Sequence, residues 1–419
     1  MNPLMKSAVI LLSLFCCIAC GDDGEEISPQ PKPLELQDAE PILLKSSYAE
    51  KVQNDNSFAF DLLKATVKHE SDPNIFISPL SVSMALSMTL NGAEGETATE
   101  MFNALRFGDF TMEEVNDYNK TLREALLSVD PSTEINIANS IWNRQGFPFV
   151  EEFKTTNRQF YDAEISTLDF LDPASLGIIN GWIAEKTNNR IPEALNAIPE
   201  GAISYLVNAI YFKGIWREKF EESNTRKEIF TTEGGRETQV DMMNLQSDFA
   251  YAEDNNAGYL KLPYGNNAFS MVIGLPLEGK TVDELLTAID NDSWGDLNYR
   301  GKNVRIKLPK FKAECSYAFE KETLPYLGMR KAFIPEVAEF PRMTPIEVYL
   351  SRVMQKTFVE VNEEGTEAAA ATVVEMEITS PGPGYDGVLN FYVTEPFLFF
   401  IQENSTGAIL FAGKMGEIK

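Results

Sequence analysis

The spacing of apolar side chains divides the chain into segments with distinct periods. Phe58, Phe60, Leu62, Leu63 and Val67 predict an amphipathic helix over 56–68. Ile75, Phe76 and Ile77 form a short buried strand. Ser78 then stands where a helix cap is wanted, and Pro79 where the first helical N–H is dispensable. That helix continues through Val82, Ala85, Leu86 and Leu90 to Gly92. Strand-like runs follow at 135–142, 205–212, 271–275, 304–308 and 391–401. Helices come mainly before strands, which predicts an α+β domain rather than a doubly wound one. From about Ser46 onward no linker or repeat interrupts the pattern, so 46–419 reads as a single domain.

One stretch has a period that conflicts with its composition. Ala368, Ala369, Ala370 and Ala371 would ordinarily favour helix. Yet Thr366, Ala368, Ala370, Thr372, Val374 and Met376 are uncharged at every second position, small first and then larger. The opposite phase carries Glu367, Glu375 and Glu377. Such alternation describes a strand with one face buried and one face wet. The small residues suit a strand that slides between two others already packed over a core. The flank 380–387 holds two prolines and three glycines, so an exposed loop is expected there. The segment is therefore read as a loop first and a strand later.

The N-terminus reads as an address. Lys6 precedes an apolar run, 8–19, that is too short to span a bilayer and fits a secretory signal peptide, 1–19. It ends Cys17-Ile18-Ala19-Cys20, which resembles the lipobox of bacterial lipoproteins, where cleavage leaves a lipidated cysteine. The alternative is an ordinary cleaved signal with Cys20 unmodified. Residues 20–45 open with Gly21-Asp22-Asp23-Gly24-Glu25-Glu26 and carry Pro29, Pro31 and Pro33, a solvated tether or plain linker. The protein is thus expected to be exported and lipid-anchored at the bacterial outer membrane or cell surface, or else periplasmic or secreted.

Composition narrows the chemistry. Thirty-six basic against sixty-three acidic residues leave a formal charge of −27, which opposes binding to nucleic acid. His69 is the one histidine, so schemes needing two imidazoles are excluded. With the leader gone, Cys315 is the one remaining thiol apart from Cys20, and a packed structural role suits it better than nucleophilic catalysis. No nucleophile elbow or phosphate loop is present.

Several strings together resemble the serpin family over nearly the whole mature length. They are Asn74-Ile75-Phe76-Ile77-Ser78-Pro79-Leu80-Ser81, Leu90-Asn91-Gly92-Ala93, and Asn208-Ala209-Ile210-Tyr211-Phe212-Lys213-Gly214. Phe358-Val359-Glu360-Val361-Asn362-Glu363-Glu364-Gly365-Thr366, Pro396-Phe397-Leu398-Phe399-Phe400 and Phe411-Ala412-Gly413-Lys414 complete the set. The resemblance implies helices packed on three β-sheets with an exposed reactive-centre loop, about 363–390. It also implies an irreversible suicide-substrate inhibitor, not an enzyme: a peptidase cuts the loop, and the loop inserts into the main sheet before the acyl-enzyme is hydrolysed. About fifteen inserted residues at ~3.3 Å each would carry the enzyme roughly 50 Å and distort its oxyanion hole.

Residue by residue, the resemblance makes Glu363, Gly365, Thr366, Ala368, Ala370 and Thr372 the hinge. The reactive bond falls at Thr379–Ser380, sixteen positions beyond Glu363, with cuts after Ile378 or Met376 as alternatives. A small residue such as Thr379 suits an elastase-like serine protease; Ile378 would suit a papain-like cysteine protease. No basic residue lies between Lys356 and Lys414, which argues against trypsin-like targets. Ser78, Ser81, Asn208 and Gln355 match the shutter beneath the opening strands, and Trp182 is matched to the breach, where insertion begins. Gln355 stands where many serpins have histidine and cannot titrate. The stretch 93–106 sets Glu94, Glu96 and Glu100 against Arg106, which argues against heparin-type activation. No cofactor or metal is expected, membrane contact is expected only through the lipid, and the protein is expected to be monomeric. The alternative is a non-inhibitory serpin, a binding or carrier protein whose loop is only a substrate.

Overall fold

At Ser78 the chain turns from strand into helix. Its side chain accepts the Ser81 N–H at 3.3 Å, and Pro79 takes the first helical position, as the sequence predicts. The computed structural model describes residues 37–366 and 387–419. The signal peptide, Cys20, Ala368, Ala370, Thr372 and the bonds at Met376, Ile378 and Thr379–Ser380 lie outside the described residues.

The helices are α1 (Ser46–His69), α2 (Pro79–Leu90), α3 (Gly95–Ala104), α4 (Met112–Ser128), α5 (Glu151–Tyr161), α6 (Ala174–Lys186), α7 (Val282–Ala288), α8 (Asn291–Gly295) and α9 (Thr323–Tyr326). The strands are β1 (Asn74–Ile77), β2 (Glu134–Arg144), β3 (Glu164–Leu168), β4 (Ser204–Ile215), β5 (Arg226–Thr231), β6 (Glu237–Glu253), β7 (Ala257–Pro263) and β8 (Phe269–Pro276). They continue with β9 (Arg300–Pro309), β10 (Phe311–Ala318), β11 (Met354–Asn362), β12 (Gly365–Thr366), β13 (Leu389–Tyr392), β14 (Phe397–Glu403) and β15 (Ile409–Met415). The fold is α+β.

The main sheet runs β10-β11-β12-β4-β2-β3. The other sheet runs β1-β15-β14-β8-β7-β6-β9-β13, with β5 also on β6. Of the three sheets that the resemblance implies, two share β6. That 17-residue strand pairs with β5 near its start, β9 along its middle and β7 at its end, so hydrogen bonding is continuous across both.

Two sequence expectations need correction. The helix expected over 56–68 begins at Ser46, because Tyr48, Lys51 and Val52 extend its buried face. The strand expected over 391–401 is two strands. β13 lies parallel to β9, whereas β14 lies antiparallel to β8 and β15. Pro396, without an N–H to donate, falls in the break between them.

The core is largely aromatic where strands meet. Phe76 stacks on Phe399 at 5.5 Å and on Phe411 at 5.3 Å, and Phe311 meets Phe399 edge-on at 5.2 Å. Each fully buried ring of this kind contributes about 1.5–3 kcal/mol of apolar transfer energy.

Candidate functional site

β11 alternates half-buried and buried residues along its length, as a strand covering a core on one face must. The chain then turns back through Glu363 and Glu364 into β12. Val361 pairs with Thr366 and Asn362 with Gly365 on one edge of β12. On its other edge Gly365 pairs with Ile215 and Thr366 with Gly214 of β4. β11 and β4 do not pair with each other; β12 stands between them.

Gly365 is required by this close approach. Its φ is +153°, and a Cβ there would lie 2.0 Å from the Gly214 carbonyl oxygen. Thr366 is buried and shares a 2.5 Å hydrogen bond with the Tyr264 hydroxyl. Trp216, just after β4, completes the grip. Its backbone N–H donates to the Glu364 carbonyl at 2.8 Å, and its indole N–H to the Asn362 carbonyl at 2.9 Å. Its ring stacks on Tyr264 with centroids 4.5 Å apart.

Glu363 carries the charge of the turn. Its carboxylate lies 2.9 Å from Lys310 and accepts from the Thr225 hydroxyl at 2.7 Å. Burial pushes the carboxyl up, but Lys310 and Thr225 more than offset that and hold it below the usual glutamate range.

Below Thr366 a narrow cleft follows the two flanking strands, lined by Ile210 and Phe212 of β4 and by Thr357 and Val359 of β11. Further along, Ser78 and Gln355 meet face to face. Gln355 Nε2 donates to the Ser78 carbonyl at 2.9 Å, and the Ser78 N–H donates to Gln355 Oε1 at 3.0 Å. The Ser78 hydroxyl donates to the Leu410 carbonyl at 2.8 Å, and Ser81 joins through its N–H. Asn208 bonds elsewhere: its amide donates to Asn139 Oδ1 at 2.7 Å, while its own Oδ1 is buried without a partner among the described residues.

Trp182, matched to the breach by the resemblance, is not among the side chains around Glu363–Thr366 in the described residues. It lies on α6, packed against Trp142 at 6.1 Å in a separate cluster with Phe170 and Leu195. Trp142 pairs with Tyr205, nine residues or roughly 30 Å along β4 from Gly214. Trp216 is the tryptophan that bonds the Asn362–Glu364 turn. A signal for it existed: it stands two residues beyond the Asn208–Gly214 string, on the strand that Gly365 must approach. Tyr264, Lys310 and Thr225 gave no such signal, because they come from remote segments.

Among the described residues, Cys315 and His69 lie away from the Glu363–Thr366 turn. Burial pushes the Cys315 thiol up, and its Sγ rests 3.8 Å from the Asn74 carbonyl. His69 Nδ1 lies 2.9 Å from Glu322 at the end of α1.

Comparison with known proteins places this geometry. The family model described as Serpin (serine protease inhibitor) matches residues 53–418. Serpin B6 of Macaca fascicularis is 37% identical over 377 residues, covering 85% of this chain and 96% of its own. Leukocyte elastase inhibitor of Xenopus tropicalis is 35% identical over 378 residues, with the same coverage of 85% and 96%. The native state of the thermophilic serpin tengpin superposes with a TM-score of 0.80 at 33% identity, covering 91% of this chain and 97% of that one. Thyroxine-binding globulin in complex with thyroxine gives 0.78 at 26% identity, covering 88% and 100%. The chain that places this turn between β11 and β4 therefore belongs to the serpin family, the serine protease inhibitors.

Proposed function

We propose that this serpin is an irreversible inhibitor of elastase-like serine endopeptidases, cut after Thr379, with papain-like cysteine proteases as further targets. The observation that carries the reading is β12. Two hinge residues already pair on both edges, and Thr366 faces the core. Continued in the same register, Thr372 would come opposite both Asn208 and Gln355 after cleavage. Its hydroxyl could then donate to the buried, unpartnered Asn208 Oδ1. Met376 would come opposite Ser204, the first residue of β4. The paired length 366–376 is roughly 35 Å, and 377–379 would reach past its end with the acyl-enzyme attached. The protein supplies strain; the target supplies the chemistry.

The elastase-like target rests on Thr379 and on the similarity to an elastase inhibitor. Export and lipid attachment at Cys20 rest on the leader. A panel of elastase-like, chymotrypsin-like and papain-like enzymes tests the reading. The expected result is a complex that survives denaturing electrophoresis and a released peptide that begins at Ser380. Clipped protein without complex would favour the binding-protein alternative, which thyroxine-binding globulin exemplifies among the structural relatives.

A further inference from the structure

From Gln37 to Lys45 the chain crosses the surface without forming a helix or strand. The Ala39 N–H donates to the Asn266 carbonyl at 2.8 Å, the Ile42 N–H to the Ser405 hydroxyl at 2.9 Å, and Asp38 pairs with Arg217. Ala39, Ile42 and Leu44 rest half-buried on the core. Leu43 does the opposite. It is 90% exposed, against 63% for Leu171, the next most exposed large apolar side chain among the described residues. Leu171 has its N–H tied to Asp169 at 3.0 Å. The N–H and carbonyl groups of Leu43 and Leu44 make no hydrogen bond among the described residues.

These are the features that an endopeptidase needs. Such enzymes bind substrate as an added extended strand through main-chain hydrogen bonds and place one side chain in a primary pocket. A helical or sheet-bound segment must first unfold; this one need only lift off. We propose that the Leu43–Leu44 bond is a processing site for an endopeptidase whose primary pocket takes a large apolar side chain. Water adds across the amide, leaving a carboxylate on Leu43 and a free amine on Leu44. The domain keeps its structure, because α1 begins at Ser46 and Lys45 retains Asp117 at 2.6 Å and Tyr48 at 3.2 Å. The cut parts everything before Leu44 from the hinge-bearing domain, whether or not Cys20 carries lipid.

The test uses the full chain and a trace of chymotrypsin as the probe enzyme, followed by intact mass over time. A product beginning at Leu44 is expected at least ten times faster from wild type than from Leu43→Asp. Cutting within 367–386 serves as the internal control and should be equal in both. The Leu43→Phe variant should yield the same product, beginning at Leu44, at least as fast as wild type, which separates pocket recognition from a change in local order. Equal rates for wild type and Leu43→Asp, or a first N-terminal cut outside 40–45, would overturn the proposal.

Discussion

Trp216 joins three parts of the molecule, the end of β4, the turn at Asn362–Glu364 and the Tyr264 ring. Replacing it with alanine removes a buried ring and leaves the Asn362 carbonyl without its indole donor. Trp216→Ala should cost about 3–5 kcal/mol, read from urea unfolding, and lower the yield of protease complex. Glu363 makes a different prediction. Its folded pKa is depressed, so its contribution is fully present above the unfolded value of roughly 4.3 and is lost as pH falls through the folded value. Wild type should therefore be more stable than Glu363→Gln at neutral pH, and the two denaturation midpoints should converge only below about pH 4. Glu363, Gly365 and Thr366 could be singled out from the sequence because they lie in one contiguous string. Trp216 carried a weaker signal: it stands two residues beyond the Asn208–Gly214 string, but its partner Asn362 lies 146 positions further on, and position alone did not say that the two would bond.

For whole elements, the decisive feature is a strand of two residues. β12 has partners on both edges, and its next residues continue an alternation with uncharged side chains on the core-facing phase. A charge on that phase would have to be buried beside Tyr264. Thr366→Arg should therefore shift the outcome with an elastase-like enzyme from stable complex to cleaved, free inhibitor, as measured by the stoichiometry of inhibition. Unchanged stoichiometry would sink the insertion mechanism. Period alone identified most strands, including those over 135–142, 205–212 and 304–308. It failed at 391–401, because two apolar runs that join different neighbours look continuous when only their hydropathy is visible.

For the molecule as a whole, the leader and the domain raise separate questions. If Cys20 is the lipid anchor, Cys20→Ser should move the protein from the membrane fraction to the soluble one without changing its reaction with protease. A mutant that still sediments with membranes would refute anchoring. The amino-acid sequence by itself determined the α+β order of elements, the Ser78 cap, the strand-like alternation of 366–376 and the acidic balance. Each of these depends on residues close together in the chain or on a simple count. Only the tertiary structure decided that Trp216 rather than Trp182 would bond the Asn362–Glu364 turn, that Tyr264 would meet Thr366, and that Lys310 would neutralise Glu363. Those pairings are set by how sheets stack and which strands become neighbours, and the energy that selects them resides in contacts that no local window contains.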